Sequence, residues 1–388
     1  MAGAEDSPSL APPALAPVST TQSWIPALQS LRGVAALWVV LFHVQVYTVF
    51  VGAPLLPIPT ARLGWLGVDL FFVLSAYLLG QPFLDGRKPA TKRFLADRFL
   101  RVAPAYYASF AVAVVAYVLF APDAWYPDRA AWSLVFLQNF DFRNFLAVNP
   151  AFWSLAVELQ FYLILPFMAR LFRGPRWPLA LAACVAVSLL YRGLLYGIYE
   201  SGPVRVLHWE IQPPQGLQWE TFTLPSFLGH FAFGLAACRI RLLDRPAGSG
   251  VRRATFLAGV LLVAAPAALW IPPSTVLFTG ISLAGDMLVR VVAACGFACM
   301  VLATASGGWI ARALAWRPLQ WLGQTSYSLY LIHIPVQVVV LQSIDPMAHP
   351  AMWAVAATGL SIVAGWLLYV GVEAPAEAWR RRRKLRAR

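Results

Sequence analysis

Arg32 and His43 stand eleven positions apart in the apolar run LQSLRGVAALWVVLFHV. On a helix that is about three turns and a rise of about 16 Å, which puts both side chains on nearly one face. Ionisable groups are costly inside a membrane-length apolar run and mark function by default, although a histidine there also serves as a helix-packing hydrogen bonder. A guanidinium at the entrance and an imidazole near the middle suit a ligand with anionic groups at the surface and a long arm reaching inward. Three further titratable groups recur at similar depth: Asp69 in GWLGVDLFFVLSAYLLG, Glu158 in FWSLAVELQFYLILP and His333 in SYSLYLIHIPV. Together with His43 they read as the lining of one shared polar cavity. In TKRFLADRFLRVAPAYY, Arg98 and Arg101 are three apart and share a helical face. Beside Arg32 they form a candidate phosphate cluster, because guanidinium forks match phosphate oxygens.

The elements that must position these residues are transmembrane helices. Hydrophobic residues make up 60% of the chain and charged ones only 12%, far from the mix of a soluble domain. A span needs about 20 apolar residues, and ten such runs are expected, at about 32–52, 64–84, 103–121, 151–171, 177–198, 221–241, 254–272, 281–305, 319–341 and 351–373. Helices are the spanning form, since backbone polar groups must be satisfied within the segment in lipid. The fold class is therefore all-α, a polytopic transmembrane helical bundle.

The net charge of +13 could suggest nucleic acid, so the placement of the cations matters more than their sum. With the N-terminus in the cytoplasm, 24 of the 30 Lys and Arg fall on the inner side and four in outer loops. The positive-inside rule then places both termini in the cytoplasm. No soluble basic domain is expected for nucleic acid to bind, and the tail RRRRKLRAR reads as a topology signal that favours anionic headgroups. Residues 1–23 read as a disordered cytoplasmic tail, 24–379 as the membrane domain and 380–388 as a basic tail. The four cysteines lack zinc or CxxC spacing, so no metal is expected. Asp286 and Arg290, four apart in the eighth run, are expected to satisfy each other.

Six segments, SLRGVAALWVVLFHV, GVDLFFVLSAYLLG, RFLRVAPAYY, FWSLAVELQFYLILP, SYSLYLIHIPV and GVEAPAEAWRRRR, together resemble the bacterial acyltransferase-3 family of membrane O-acyltransferases. They occur in the family's order over nearly the whole chain. Ala76 departs from the family's usual Gly after FFVLS, and Leu159 from a polar or aromatic residue after Glu158. The resemblance implies a multi-pass bacterial inner-membrane enzyme that moves an acyl group, usually acetyl, from acyl-CoA to a hydroxyl of a glycan or glycosylated acceptor. It maps the family's functional His and Arg onto His43 and Arg32, and its Arg-x-x-Arg onto Arg98 and Arg101.

Acyl-CoA is then expected to enter from the cytoplasm with its phosphates on Arg32, Arg98 and Arg101. The thioester would reach His43, whose imidazole titrates near neutrality and can take a proton from the acceptor hydroxyl. Glu158 is the first choice for a carboxylate that orients the ring and Asp69 the second; His333 completes the catalytic set. Tyr327, Ser75 or a backbone amide would meet the oxyanion. Direct transfer and a covalent acyl-histidine both stay open. The outer segment RVLHWEIQPPQGLQWE offers Trp209 and Trp219 to stack on a sugar, with Tyr327 a further acceptor contact. The competing readings are a proton-coupled transporter of a glycan precursor or small anion, and an acyltransferase acting on a secondary metabolite such as a macrolide.

Overall fold

In a computed structural model the chain is described over residues 26–52, 61–87, 89–122, 125, 127–140, 148–200, 204–206, 209–211, 219–243, 248–270 and 283–386. The long helices are α1 (Pro26–Phe50), α2 (Leu66–Leu84), α3 (Thr91–Phe120), α5 (Trp153–Arg173), α6 (Trp177–Glu200), α7 (Leu224–Leu243), α8 (Ser249–Trp270), α9 (Leu283–Ala305), α11 (Arg317–Leu341) and α12 (Pro350–Leu368). Short helices α4 (Pro127–Leu134) and α10 (Trp309–Leu314) join them, and a π-turn at Tyr369–Glu373 leads into the C-terminal α13 (Ala374–Arg386). The described strands form one antiparallel hairpin, β1 (Val204–Val206) with β2 (Trp209–Ile211), Arg205 opposite Glu210. Residues 1–25, 141–147 and the stretch between the hairpin and Trp219 lie outside the described residues, as do His208 and the side chains of Trp209 and Trp219.

Nine helical segments among the described residues are long and apolar enough to cross a bilayer. The ninth expected span, at 319–341, is α11; it has the length but carries Gln324, Thr325, Ser326, Ser328, His333 and Gln337 along its course. It tolerates them because it runs inside the bundle, packed by α1, α12 and α3, with Ser326, Ser328, His333 and Gln337 fully buried. Helices α6 and α8 are the opposite case: only 17% of each apolar window is buried, so they form the rim.

Two of the close helix crossings bear on the site. Where α1 meets α11, a Cβ on Gly33 would stand 2.6 Å from the Gly323 nitrogen, and one on Gly323 2.0 Å from the Gln29 carbonyl oxygen. Only glycine allows backbones so near, the small-residue packing that substitutes for hydrophobic drive in lipid. Where α2 meets α7, a Cβ on Gly234 would lie 2.3 Å from the Val73 oxygen and 2.7 Å from the Ala76 methyl. The room that the missing glycine at 76 would have provided is supplied from across the interface.

Candidate functional site

The α1–α11 crossing brings the two helices into parallel register, and ten residues beyond Gly33 and Gly323 the imidazoles of His43 and His333 meet. His333 Nε2 lies 3.2 Å from His43 Nδ1, with ring centroids 4.9 Å apart. Their hydrogen bonds fix the tautomers of the neutral rings. His333 Nδ1 stands 2.8 Å from the Tyr330 carbonyl oxygen, which only accepts, so Nδ1 carries the proton and Nε2 is bare. His43 Nδ1 stands 2.9 Å from the Val39 carbonyl oxygen and therefore also donates, toward that oxygen and toward His333 Nε2. His43 Nε2 is left with a free lone pair. His333 is fully buried while His43 stays partly exposed, so the lone pair belongs to the accessible member of the pair.

Tyr330 ties this pair to α5. Its phenolic oxygen lies 2.9 Å from the Ala151 carbonyl and 2.7 Å from Ser154 Oγ, which itself reaches the same carbonyl at 3.3 Å. Asn149 adds a 2.7 Å bond from its amide to the Leu331 carbonyl and caps the turn that starts α5. The position of His333 is thus held from both neighbouring helices.

Glu158, expected beside His43, has a different neighbourhood. It accepts a 2.6 Å hydrogen bond from Ser75 Oγ on α2, interacts with the Tyr162 hydroxyl one turn on, and lies within Coulombic reach of Arg32. The ring contact that sequence assigned to this carboxylate is made by His333 instead. Ser75 spends its proton on Glu158 and is no oxyanion donor in this arrangement.

Arg32 sits among Arg101, Glu158, Glu373 and Tyr162. Its Nε is buried without a hydrogen-bond partner among the described residues. The other two arginines of the expected cluster are engaged: Arg98 with Asp97 at 2.8 Å and Arg101 with Glu373 at 2.8 Å. Glu373 is 2% exposed and also accepts from Ser328 Oγ; it closes a π-helical turn, a feature frequent at functional sites. Tyr327 belongs to this end as well. Its hydroxyl donates to the Val102 carbonyl at 2.8 Å and its ring lies 5.5 Å from the Arg101 guanidinium carbon, so it faces the arginine cluster rather than an acceptor. Arg32, Tyr327, Glu158, Ser75, Phe71 and His43 are each partly exposed, and Ser75 and Glu158 are joined by a hydrogen bond.

Asp69 lies elsewhere. It is fully buried against His230 Nε2 at 2.6 Å and Arg290 Nη1 at 3.3 Å. Arg290 Nε in turn holds Asp286 at 2.9 Å, as its spacing foretold, and Asp286 also holds Arg192 Nη1 at 2.7 Å. Arg290 lies 4.3 Å over the Trp65 ring. This is a compensated ion network joining α2, α6, α7 and α9, and it removes Asp69 from the vicinity of His43. His230, Asp97 and Glu373 were missed as site residues. The signal for His230 was available: an ionisable group within the apolar run SFLGHFAFGL. No group of three or more His, Cys, Asp or Glu able to hold a metal occurs among the described residues.

A family model described as "Acyltransferase domain" matches residues 25–370. The chain is 28% identical over 359 residues to "Putative peptidoglycan O-acetyltransferase YrhL" of Bacillus subtilis, covering 85% of this chain and 51% of that protein. It is 27% identical over 368 residues to "Peptidoglycan O-acetyltransferase OatA" of Listeria monocytogenes, covering 87% and 54%. It is also 27% identical over 362 residues to "Putative membrane-bound transacylase BcsY" of Komagataeibacter xylinus, covering 89% and 81%. The chain thus spans about half the length of the two O-acetyltransferases it matches.

Proposed function

We propose, from the premise that this chain belongs to the acyltransferase-3 family of membrane O-acyltransferases, that it moves an acetyl group from acetyl-CoA to a hydroxyl of a cell-envelope glycan. The observation that carries the reading is the bare, accessible His43 Nε2, held in that tautomer by Val39 and His333. In this reading the bundle lies in the bacterial inner membrane with both termini in the cytoplasm. The relatives' names favour peptidoglycan as the acceptor class.

The donor enters at the arginine end. Arg32, whose Nε has no acceptor among the described residues, takes a phosphate, and the pantetheine arm runs from it toward His43 on the same helix. An arm reaching about three helical turns places the thioester beside His43. His43 Nε2 then takes the proton of the acceptor hydroxyl as its oxygen attacks the thioester carbonyl. The imidazolium so formed keeps its Nδ1–H on the Val39 oxygen and on His333 Nε2, both of which become stronger acceptors for a charged donor. Collapse of the tetrahedral intermediate breaks the C–S bond, and the thiolate recovers the proton from His43. Glu158 stabilises Arg32 at the donor end rather than the ring.

Comparing mass spectra of envelope glycans from cells with and without the chain tests the acceptor class. Acetyl esters that disappear with the gene and return with the wild-type but not the His43→Ala protein support the reading. Unchanged glycans, together with solute flux across proteoliposomes without thiol release, would replace it with a transporter.

A further inference from the structure

The C-terminal helix docks on the one strip of α3 that carries the Arg-x-x-Arg pair. Asp97 is the anchor: Arg98 Nη2 lies 2.8 Å from one carboxylate oxygen, while Arg380 Nη1 and Lys384 Nζ each lie 2.7 Å from the other. The other acid nearby, Glu377, holds Arg381 at 2.6 Å and Arg380 only at 3.9 Å. Two carboxylates therefore face four cations, and the cluster keeps two positive charges in excess. A topology signal needs cations on the right side of the membrane and no convergence of three on one acid. Docking of the helix, for its part, would be satisfied by one ion pair.

The donors are also incompletely used. Arg98 Nε and Arg380 Nε are buried without a hydrogen-bond partner among the described residues. The side chains are anchored yet reachable, with 25%, 12% and 45% of Arg98, Arg380 and Lys384 exposed. One turn further along α3, Arg101 differs: its pairing with the buried Glu373 neutralises it. The Arg-x-x-Arg pair is thus divided, with Arg98 facing the cationic cluster and Arg101 the interior beside Arg32.

We infer that Arg380 and Lys384 join Arg98 around Asp97 to bind the phosphate groups of a nucleotide-bearing acyl donor, so that α13 completes the donor site. This rests on the donor reading given above. Both α13 residues lie beyond residue 370, where the family match ends. Asp97 acts as the template: it holds three cations within reach of one another and leaves their remaining N–H groups for phosphate oxygens. Anionic lipid headgroups offer the same chemistry, so the experiment has to separate the two sources.

The test uses the full chain in nanodiscs and two donors, acetyl-CoA and S-acetyl-pantetheine, which carries the same thioester without the nucleotide phosphates. The double variant Arg380→Ala/Lys384→Ala is compared with Arg382→Ala/Arg383→Ala, an equal loss of charge outside the Asp97 cluster. The expected result is a rise of about tenfold or more in KM for acetyl-CoA. The kcat, the KM for S-acetyl-pantetheine and the control variant should be unchanged. The rise should be the same in zwitterionic phosphatidylcholine discs and in discs containing phosphatidylglycerol. An equal shift for both donors, an equal shift in the control, or no shift overturns the inference, as does an effect confined to phosphatidylglycerol discs, which would mark a lipid site. Failure of the wild-type protein to use either donor would instead refute the acyltransfer reading beneath it.

Discussion

His333 Nε2 and His43 Nδ1 face each other at 3.2 Å across the α1–α11 crossing, two residues 290 positions apart in the chain. With the Val39 carbonyl, this contact leaves Nε2 as the His43 nitrogen with a free lone pair. It follows that His333→Ala should leave donor binding intact and lower kcat by about ten- to a hundredfold, less than loss of the base itself. Steady-state kinetics with both substrates varied would check this; an unchanged kcat would reduce His333 to a packing residue.

Arg32 keeps a buried Nε without a partner among the described residues and lies on the same helix as His43, so its loss should be read in donor binding. Arg32→Ala is expected to raise KM for acetyl-CoA far more than KM for the acceptor, with kcat changed little. An equal rise for both substrates would remove the phosphate role.

Glu158 is coupled to Arg32 and hydrogen-bonded to Ser75. A double-mutant cycle of Glu158→Gln with Arg32→Ala, scored on donor binding, should show a coupling of about 1 kcal/mol or more. The same cycle of Glu158→Gln with His43→Ala should be near additive. The reverse pattern would return Glu158 to the catalytic ring.

Asp69 is buried and paired with His230 and Arg290, so its loss is expected to cost stability before chemistry. Asp69→Asn leaves Arg290 less well compensated in a buried setting, where breaking one partner of an ion pair costs about 3–5 kcal/mol. Thermal unfolding in detergent should show a much lower midpoint, while the protein that remains folded should turn over at a near wild-type kcat. A stable but inactive Asp69→Asn protein would contradict this division.

Gly323→Ala tests the crossing itself. The added methyl would meet the Gln29 carbonyl oxygen at 2.0 Å, so α1 and α11 must move apart. Overpacking of this kind costs about 1–3 kcal/mol, and the shift is transmitted to His43 and His333. Stability and kcat should fall together, without selective loss of donor binding.

The candidate residues were legible because lipid makes ionisable side chains conspicuous: Arg32, His43, Glu158 and His333 each interrupt an apolar run. Their partners were not, because pairing in a bundle depends on which helices become neighbours. Asp69 and Glu158 look alike in sequence, yet α7 and α9 supply His230 and Arg290 to one, while α1 supplies Arg32 to the other. Helix α11 was among the expected spans at 319–341, but that its polar residues face protein instead of lipid became visible only in the bundle. The π-turn at Tyr369–Glu373 carries no periodicity cue of its own, so the rotation that aims Glu373 at Arg101 emerged only in three dimensions.

The most direct test of the central claim is thiol release from acetyl-CoA by purified His43→Ala protein that still binds acetyl-CoA with the wild-type Kd. Acceptor-dependent release should fall by roughly a hundredfold or more with donor affinity unchanged. Acceptor-dependent release at the wild-type rate from the folded variant would contradict His43 as the base.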